Sequence, residues 1–197
     1  MSNTIRRVVA AVAALAVALA FALPAPAATY RVYESWRFKS NAVCLQNPLG
    51  MFPAGAAARY WSTGNTSGLV VKASTNCAAA GYTRAQTILV KAFSTTDRVC
   101  AKTGASSYVW EYVSVNGVRT ALWTPKDMTV WVNTSAAWYG GCWSTSALRA
   151  HMAVHETGHA LGLAHSDPAL GASVMQTGAY SVYVPTRLDY RHLEGRY

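Results

Sequence analysis

The most informative segment of the sequence reads His155-Glu156-Thr157-Gly158-His159-Ala160-Leu161-Gly162-Leu163-Ala164-His165. His155 and His159 are four residues apart, so on an α-helix they lie one turn apart on the same face. The residues from Ala147 to about Leu161 favour a helix and include no proline, and Ser144, Thr145 and Ser146 can cap its N-terminus. We therefore predict one long helix that presents both histidines to a single metal ion.

A third ligand is needed, because a catalytic zinc site usually has three protein ligands and keeps its fourth position for water. His151 is excluded, since histidines spread from 151 to 159 would rise about 12 Å along the helix, whereas zinc–nitrogen bonds are about 2.0–2.1 Å. Gly162 can adopt the left-handed conformation that ends a helix and turns the chain back. We therefore predict that His165 completes a site for one Zn²⁺ with His155 and His159.

Glu156 follows the first of these histidines, at the edge of the metal-facing side of the helix. A carboxylate there can reach the attacking water without binding the metal, which is what a general base for hydrolysis requires. We predict that Glu156 is this base in a hydrolysis reaction. For the four cysteines, a zinc site is the alternative to disulfide bonds, but the sequence contains no Cys-x-x-Cys pair to support it.

The whole segment from His155 to His165 resembles the metzincin metallopeptidases, and Ser166 directly after it is similar to the matrixin branch. That family also places a methionine turn beneath the zinc, and Ser173-Val174-Met175-Gln176 is similar to this turn. The resemblance implies that Met175 and Gly162 support the zinc ligands without binding the ion themselves. It also implies an α+β fold with a twisted mixed β-sheet, a long zinc-binding helix and a C-terminal helix. The reaction that it implies is hydrolysis of an internal peptide bond, with a protein or peptide as substrate.

The specific resemblance covers roughly residues 123–195, and the sequence departs from the family pattern in two ways. No inhibitory Pro-Arg-Cys-Gly segment is present, so control by a cysteine switch is not expected. The astacin-like branch uses a tyrosine two residues after the methionine as an additional zinc ligand, and Thr177 stands there instead. Tyr180 is close by in sequence, but we expect it to be a surface or core residue.

Upstream of the predicted helix, short apolar and aromatic segments alternate with Gly, Ser, Thr and Asn, which is typical of strands and turns. Asn116-Gly117 is a strong hairpin signal, because both residues tolerate positive φ. A loop is expected from Gly162 to about Pro185, and Thr186 then begins a capping sequence for a short helix ending near Gly195. The predicted strands are Tyr30–Phe38, one beginning at Arg59–Tyr60, Gly68–Ala73, Thr87–Phe93, Tyr108–Val115, Thr120–Trp123 and Met128–Asn133.

Residues 1–28 have the layout of a secretory signal peptide. Arg6 and Arg7 precede an apolar run from Val8 to Leu23, and small residues with an Ala-x-Ala site follow. A retained membrane anchor is the alternative, but a spanning helix needs about 20 apolar residues and this run is shorter. We therefore expect residues 29–197 to form a single zinc metallopeptidase domain that is secreted, extracellular and free of the membrane.

All four cysteines follow this leader, and an even number of cysteines in an exported chain favours disulfides over free thiols. Four cysteines allow three different connectivities. Short closures form easily, which favours the sequential pairing. The expected bridges are Cys44–Cys77 and Cys100–Cys142.

The chain has a net charge of +9 at pH 7. Two of its 17 basic residues lie in the leader, which leaves 15 against 8 acidic residues and a net charge of +7 for the mature chain. Such an excess favours anionic surfaces or acidic substrates. The basic residues are scattered singly, however, so we expect no nucleic-acid partner. We expect a monomer, and calcium binding is left open because the carboxylates are so few.

Two other functions agree with the same residues. One is a secreted zinc-containing module that binds a surface, for which the seven tryptophans and eleven tyrosines are suited. The other is a zinc hydrolase that acts on cell-wall peptides. Glu156 argues against a purely structural zinc site, because such a site has four protein ligands and needs no carboxylate beside the metal.

Overall fold

The computed structural model describes residues 34, 36–97, 99–115, 117–135, 141–178 and 181–197. The predicted signal peptide and Tyr180 lie outside these residues. In the described part of the chain, no helix has the length and apolar character needed to cross a membrane. The helices are α1 (Ala54–Thr63), α2 (Ser146–Ala160) and α3 (Arg187–Glu194), with short 3₁₀ helices at Arg84–Gln86 and Pro168–Leu170. The strands are β1 (Ala42–Gln46), β2 (Val70–Ser74), β3 (Thr87–Phe93), β4 (Ala101–Gly104), β5 (Tyr108–Val115), β6 (Val118–Pro125) and β7 (Met128–Asn133).

Five strands form a mixed sheet in the order β2-β1-β3-β7-β4. The first four run parallel to one another, and β4 lies antiparallel to β7 at the edge. Ile88 and Val90 of β3 alternate with partly exposed residues, and they are fully buried in the same core as Val130 and Val132 of β7. Helices α1 and α2 pack on this apolar face. The architecture is therefore α+β with a mixed sheet and a C-terminal helix, as predicted.

Helix α1 corrects the predicted strand that begins at Arg59–Tyr60, because both residues lie within this helix. Its buried residues are three or four positions apart, which is the helical period. That period outweighs the strand preference of the neighbouring aromatic residues. The helix supplies the crossover that the parallel strands β1 and β2 require. The buried residues of α1 are Ala54, Ala57, Ala58 and Trp61.

The other strand predictions had mixed outcomes. Those for β3, β5 and β7 are confirmed with the same bounds, and those for β2 and β6 are confirmed with shifted ends. The described part of the predicted strand Tyr30–Phe38 forms only an isolated bridge between Trp36 and Trp123. The short strands β1 and β4 were not predicted.

The hairpin prediction is confirmed, because β5 and β6 form a separate two-stranded sheet. Val115 pairs with Val118, which leaves a connection of two residues. Gly117 in that connection has φ +77°, and Asn116 lies outside the described residues. The backbone N–H of Arg37 donates to the Trp123 carbonyl at 3.1 Å, which attaches the hairpin to the preceding segment.

Both expected disulfides are present, Cys44–Cys77 and Cys100–Cys142. They span 33 and 42 residues, and closing loops of this length contributes about 4 kcal/mol each in the chain-entropy account. The second bridge connects the residue before β4 to the segment before α2. The two bridges are evidence for an oxidising environment.

Candidate metal centre

Helix α2 carries the two histidines of the predicted site. Thr145 caps its N-terminus, since the Thr145 hydroxyl accepts a hydrogen bond from the backbone N–H of Leu148 at 3.1 Å. The helix ends at Ala160, within one residue of the prediction. His155 and His159 lie one turn apart, and their imidazole centroids are 4.7 Å apart.

Gly162 reverses the chain directly after the helix. Its φ of +91° lies in the left-handed region, where residues other than glycine are strained. A Cβ at this position would also collide with the backbone carbonyl oxygen of Trp36. The reversal is closed by a hydrogen bond of 3.0 Å from Leu163 N to Gly158 O. His165 is thereby returned to the face of α2 that carries the other two histidines.

The three histidines converge on one point, which is compatible with a zinc site. Nε2 of His159 lies 3.1 Å from Nε2 of His155 and 3.1 Å from Nε2 of His165. One ligand atom from each residue lies within 4.8 Å of the others. Two nitrogens bound to the same tetrahedral zinc at about 2.0–2.1 Å would be about 3.3 Å apart, so the observed spacing fits.

The hydrogen bonds of the other ring nitrogens make this group suitable for a cation. Nδ1 of His155 lies 2.7 Å from the Val174 carbonyl oxygen, and Nδ1 of His159 lies 2.8 Å from the Leu163 carbonyl oxygen. A carbonyl only accepts, so each Nδ1 carries the proton and each Nε2 presents a lone pair. Two lone pairs at 3.1 Å repel each other unless a cation lies between them. The donor set therefore fits a metal ion.

Desolvation favours the neutral form of these imidazoles, which is the form that a metal requires. Desolvation lowers the pKa of His159 to about 3, and the neighbouring His155 and His165 add to this effect. Desolvation also lowers the pKa of His155 and of His165. All three side chains are consequently available as ligands near neutral pH.

Glu156 lies beside this group, and its side chain is buried, with the residue only 4% exposed. Desolvation raises the pKa of Glu156 to about 7, although a hydrogen bond from Thr103 acts in the opposite direction. The Thr103 hydroxyl donates to Oε2 of Glu156 at 2.6 Å. Thr103 was not predicted from the sequence, because the contact joins residues 53 positions apart.

Met175 packs against helix α2 at Gly158. The residue is 1% exposed, and its sulfur occupies the space where a Cβ on Gly158 would lie. The Met175 carbonyl oxygen accepts a hydrogen bond from Ser166 N at 3.0 Å, which connects this turn to the residue after His165. Met175 thus contacts both the helix that carries His155 and His159 and the segment that carries His165.

Asp189 of helix α3 fixes the turn that contains Val174. Its buried carboxylate accepts hydrogen bonds from the Ser173 hydroxyl and, at 3.0 Å, from Val174 N. Val174 in turn accepts the hydrogen bond from His155 Nδ1. The sequence predicted Asp189 only as part of a helix cap, which it also is, because Thr186 N donates to it at 2.7 Å.

Two cavities meet at the histidines and Glu156. One, of about 300 Å³, extends toward Glu34, Trp36 and Lys102. The other, of about 290 Å³, extends toward Met152, Thr177 and Gly178. The shared lining residues are Ala101, His155, Glu156 and His165. A larger cavity of about 410 Å³ is lined mainly by residues of the sheet and its connecting segments and by none of the histidines. Cavity volume alone therefore does not identify the metal centre.

His151 is outside the group of ligand atoms, as the sequence predicted. Its Nδ1 lies 2.6 Å from the Val182 carbonyl oxygen, and its side chain lines the second of the two cavities.

Comparison with protein-family models and with curated proteins finds no match to this chain. The function is therefore inferred from the chemistry of the site.

Proposed function

We propose that the protein is a secreted zinc-dependent endopeptidase of the metzincin type, similar to the matrixin branch. The observation that carries this proposal is the convergence of three histidine Nε2 atoms beside the buried carboxylate of Glu156. Three protein ligands with access to cavities correspond to a catalytic zinc site, which keeps a position for water. A structural site would have a fourth protein ligand.

Zinc is the metal that we favour, because neutral imidazoles are among its preferred ligands and all four cysteines are in disulfides. His155, His159 and His165 would hold the ion. When bound there, zinc supplies a Lewis acid that polarises the scissile carbonyl and acidifies the attacking water.

Glu156 carries out the proton transfers of the proposed reaction. Its carboxylate accepts one proton from the water as the new carbon–oxygen bond forms, and it returns that proton to the leaving amine as the carbon–nitrogen bond breaks. The protonation state of Glu156 is the same before and after one turnover.

Strand β4 supports a polypeptide as the substrate. It lies at the edge of the sheet and contributes Ala101, Lys102 and Thr103 to the lining beside Glu156. An extended peptide can add to such an edge through backbone hydrogen bonds. The two cavities extend from the shared residues toward different parts of the protein. A substrate polypeptide can therefore occupy both, with one cavity on each side of the bond to be cleaved.

The metal dependence of this activity can be tested on residues 29–197 with an unfolded protein as substrate. Cleavage should stop after the metal is removed with a chelator and should return when zinc is restored at one equivalent. Crosslinked cell-wall peptides, tested in parallel, distinguish the endopeptidase from the hydrolase alternative. Zinc-loaded protein that cleaves neither substrate would argue against both enzymatic proposals.

A second candidate function, attachment to a surface, is favoured by the outer face of the hairpin. Trp110, Tyr112 and Trp123 are 57%, 58% and 42% exposed, and the two tryptophan rings are 5.0 Å apart. Exposed aromatic groups of this kind usually mark an interaction surface. Sedimentation of the protein with insoluble cell-wall material, compared with a Trp110→Ala and Trp123→Ala double variant, tests this candidate.

A further inference from the structure

Among the residues that the structure describes, Thr103 is the one side chain that forms a hydrogen bond with the Glu156 carboxylate. The Thr103 hydroxyl oxygen lies 2.6 Å from Oε2 of Glu156 and 3.2 Å from the Glu156 backbone oxygen. The shorter contact is in the range of a charge-assisted hydrogen bond. Among the described residues, no group donates a hydrogen bond to Oε1 of Glu156. Glu156 lines both cavities.

Thr103 has a well-defined position relative to the helix. It pairs with Val130 in the ladder between β4 and β7, so its backbone is fixed by the sheet. The disulfide between Cys100 and Cys142 holds the start of this strand to the segment before α2. Threonine is also branched at Cβ, which restricts the rotation of its hydroxyl about χ1.

No other residue of β4 can take this role. Ala101 and Gly104 have no polar side-chain atom. The ammonium group of Lys102 lies over the rings of Phe93 and Trp131, at 4.9 Å and 5.7 Å from their centroids. Thr103 is therefore the one side chain of the strand that can donate to the buried carboxylate.

A glutamate side chain rotates about several bonds, and a general base must be held within hydrogen-bonding distance of the proton that it accepts. The hydrogen bond from Thr103 to Oε2 restricts the rotation of the Glu156 side chain and leaves Oε1 available to the attacking water. We infer that Thr103 is the positioning residue for Glu156, holding one carboxylate oxygen so that the other accepts the proton from the attacking water. This role rests on the proposed function, since it has meaning only if Glu156 is the base.

The test compares Thr103→Val with Thr103→Ser in the zinc-loaded mature chain, with kcat, KM and bound zinc measured for each. Valine keeps the shape of the side chain and removes the hydroxyl, and serine restores the donor. A hydrogen bond to a charged group contributes about 1.5–3 kcal/mol, so we expect Thr103→Val to lower kcat roughly 10- to 100-fold. The value of KM and the content of one zinc per chain should stay unchanged, and Thr103→Ser should remain within about 3-fold of the wild type.

Thr129→Val is the matched control. Thr129 lies on the adjacent strand β7, opposite Gly104, and it lines the cavity that contains none of the histidines. The same substitution there should leave kcat at the wild-type value. If Thr103→Val does not fold, Thr103→Ala removes the hydroxyl without placing a methyl group against the carboxylate.

The possible results separate this inference from the proposed function. An active wild type with equal kcat in Thr103→Val would overturn the positioning role alone. Equal losses in Thr103→Val and Thr103→Ser would also overturn it, because the hydroxyl would then not be the group that matters. A zinc-loaded wild type that hydrolyses no peptide would overturn the proposed function, and the role of Thr103 with it.

Discussion

Replacing Gly162 with alanine tests whether the reversal after helix α2 builds the ligand group. The φ of +91° is unfavourable for alanine by about 1–2 kcal/mol. The new Cβ would also meet the backbone oxygen of Trp36, which cannot move aside as a flexible side chain would. We expect a total loss of about 2–4 kcal/mol of unfolding free energy, which corresponds to roughly 5–15 °C in the midpoint of thermal unfolding.

The same substitution should weaken zinc binding. Leu163, the next residue, accepts the hydrogen bond from His159 Nδ1 at 2.8 Å, and His165 follows two residues later. Displacing this segment disturbs the orientation of one ligand and the position of another. We expect zinc affinity, measured by competition with a chromogenic chelator, to fall at least about 10-fold.

Gly81→Ala provides a matched control for this prediction. Gly81 has φ +85°, but a Cβ there would have no atom within 4 Å. This variant therefore reports the backbone strain alone, about 1–2 kcal/mol, and it should bind zinc like the wild type. If Gly162→Ala matched Gly81→Ala in stability and kept wild-type zinc affinity, the reasoning about the reversal would be refuted.

Three further predictions concern the groups around the site. Asp189→Asn should lower zinc affinity about 10- to 100-fold in chelator competition, because an NH2 donor replaces one of the two oxygens that accept hydrogen bonds from the turn that orients His155; unchanged affinity would contradict this. Replacing both Cys100 and Cys142 with serine should reduce unfolding free energy by about 4 kcal/mol in thermal denaturation, and a loss below about 1 kcal/mol would count against it. Desolvation raises the pKa of Tyr197 to about 12, so the folded chain keeps a proton that the unfolded chain releases near pH 10, and stability should fall by about 2–3 kcal/mol between pH 10 and 12. Tyr197→Phe should lose this part of the alkaline slope in denaturant titrations, and an identical slope would exclude the assignment.

The ligand group could be predicted because its requirements are local. The spacing of His155 and His159 depends only on the period of a helix, and Gly162 is needed for the turn that follows. The same holds for the hairpin, whose two-residue connection requires positive φ at Gly117. Features of this kind can be predicted from neighbouring residues alone.

The supporting contacts could not be predicted in the same way. Thr103 meets Glu156 only after the sheet has packed against α2, and Asp189 meets Val174 only after helix α3 has packed against the turn that contains Val174. Neither residue has an unusual sequence environment. Helix α1 was missed because its aromatic residues suggested a strand, whereas the buried alanines and Trp61 follow a helical period. In these cases tertiary packing outweighed the local preference that the prediction used.

The role of Glu156 as general base is tested by comparing the wild type with Glu156→Gln, each loaded with one zinc per chain as verified by elemental analysis. Cleavage products of an unfolded protein substrate would be identified by mass spectrometry. The control is Glu111→Gln, on a hairpin strand and outside the lining of both site cavities. We expect internal cleavage by the wild type and the control, and a rate lower by about 10³-fold or more in Glu156→Gln because the general base is removed. Equal cleavage by zinc-loaded Glu156→Gln, or a wild type that binds no zinc and still cleaves, would contradict this expectation.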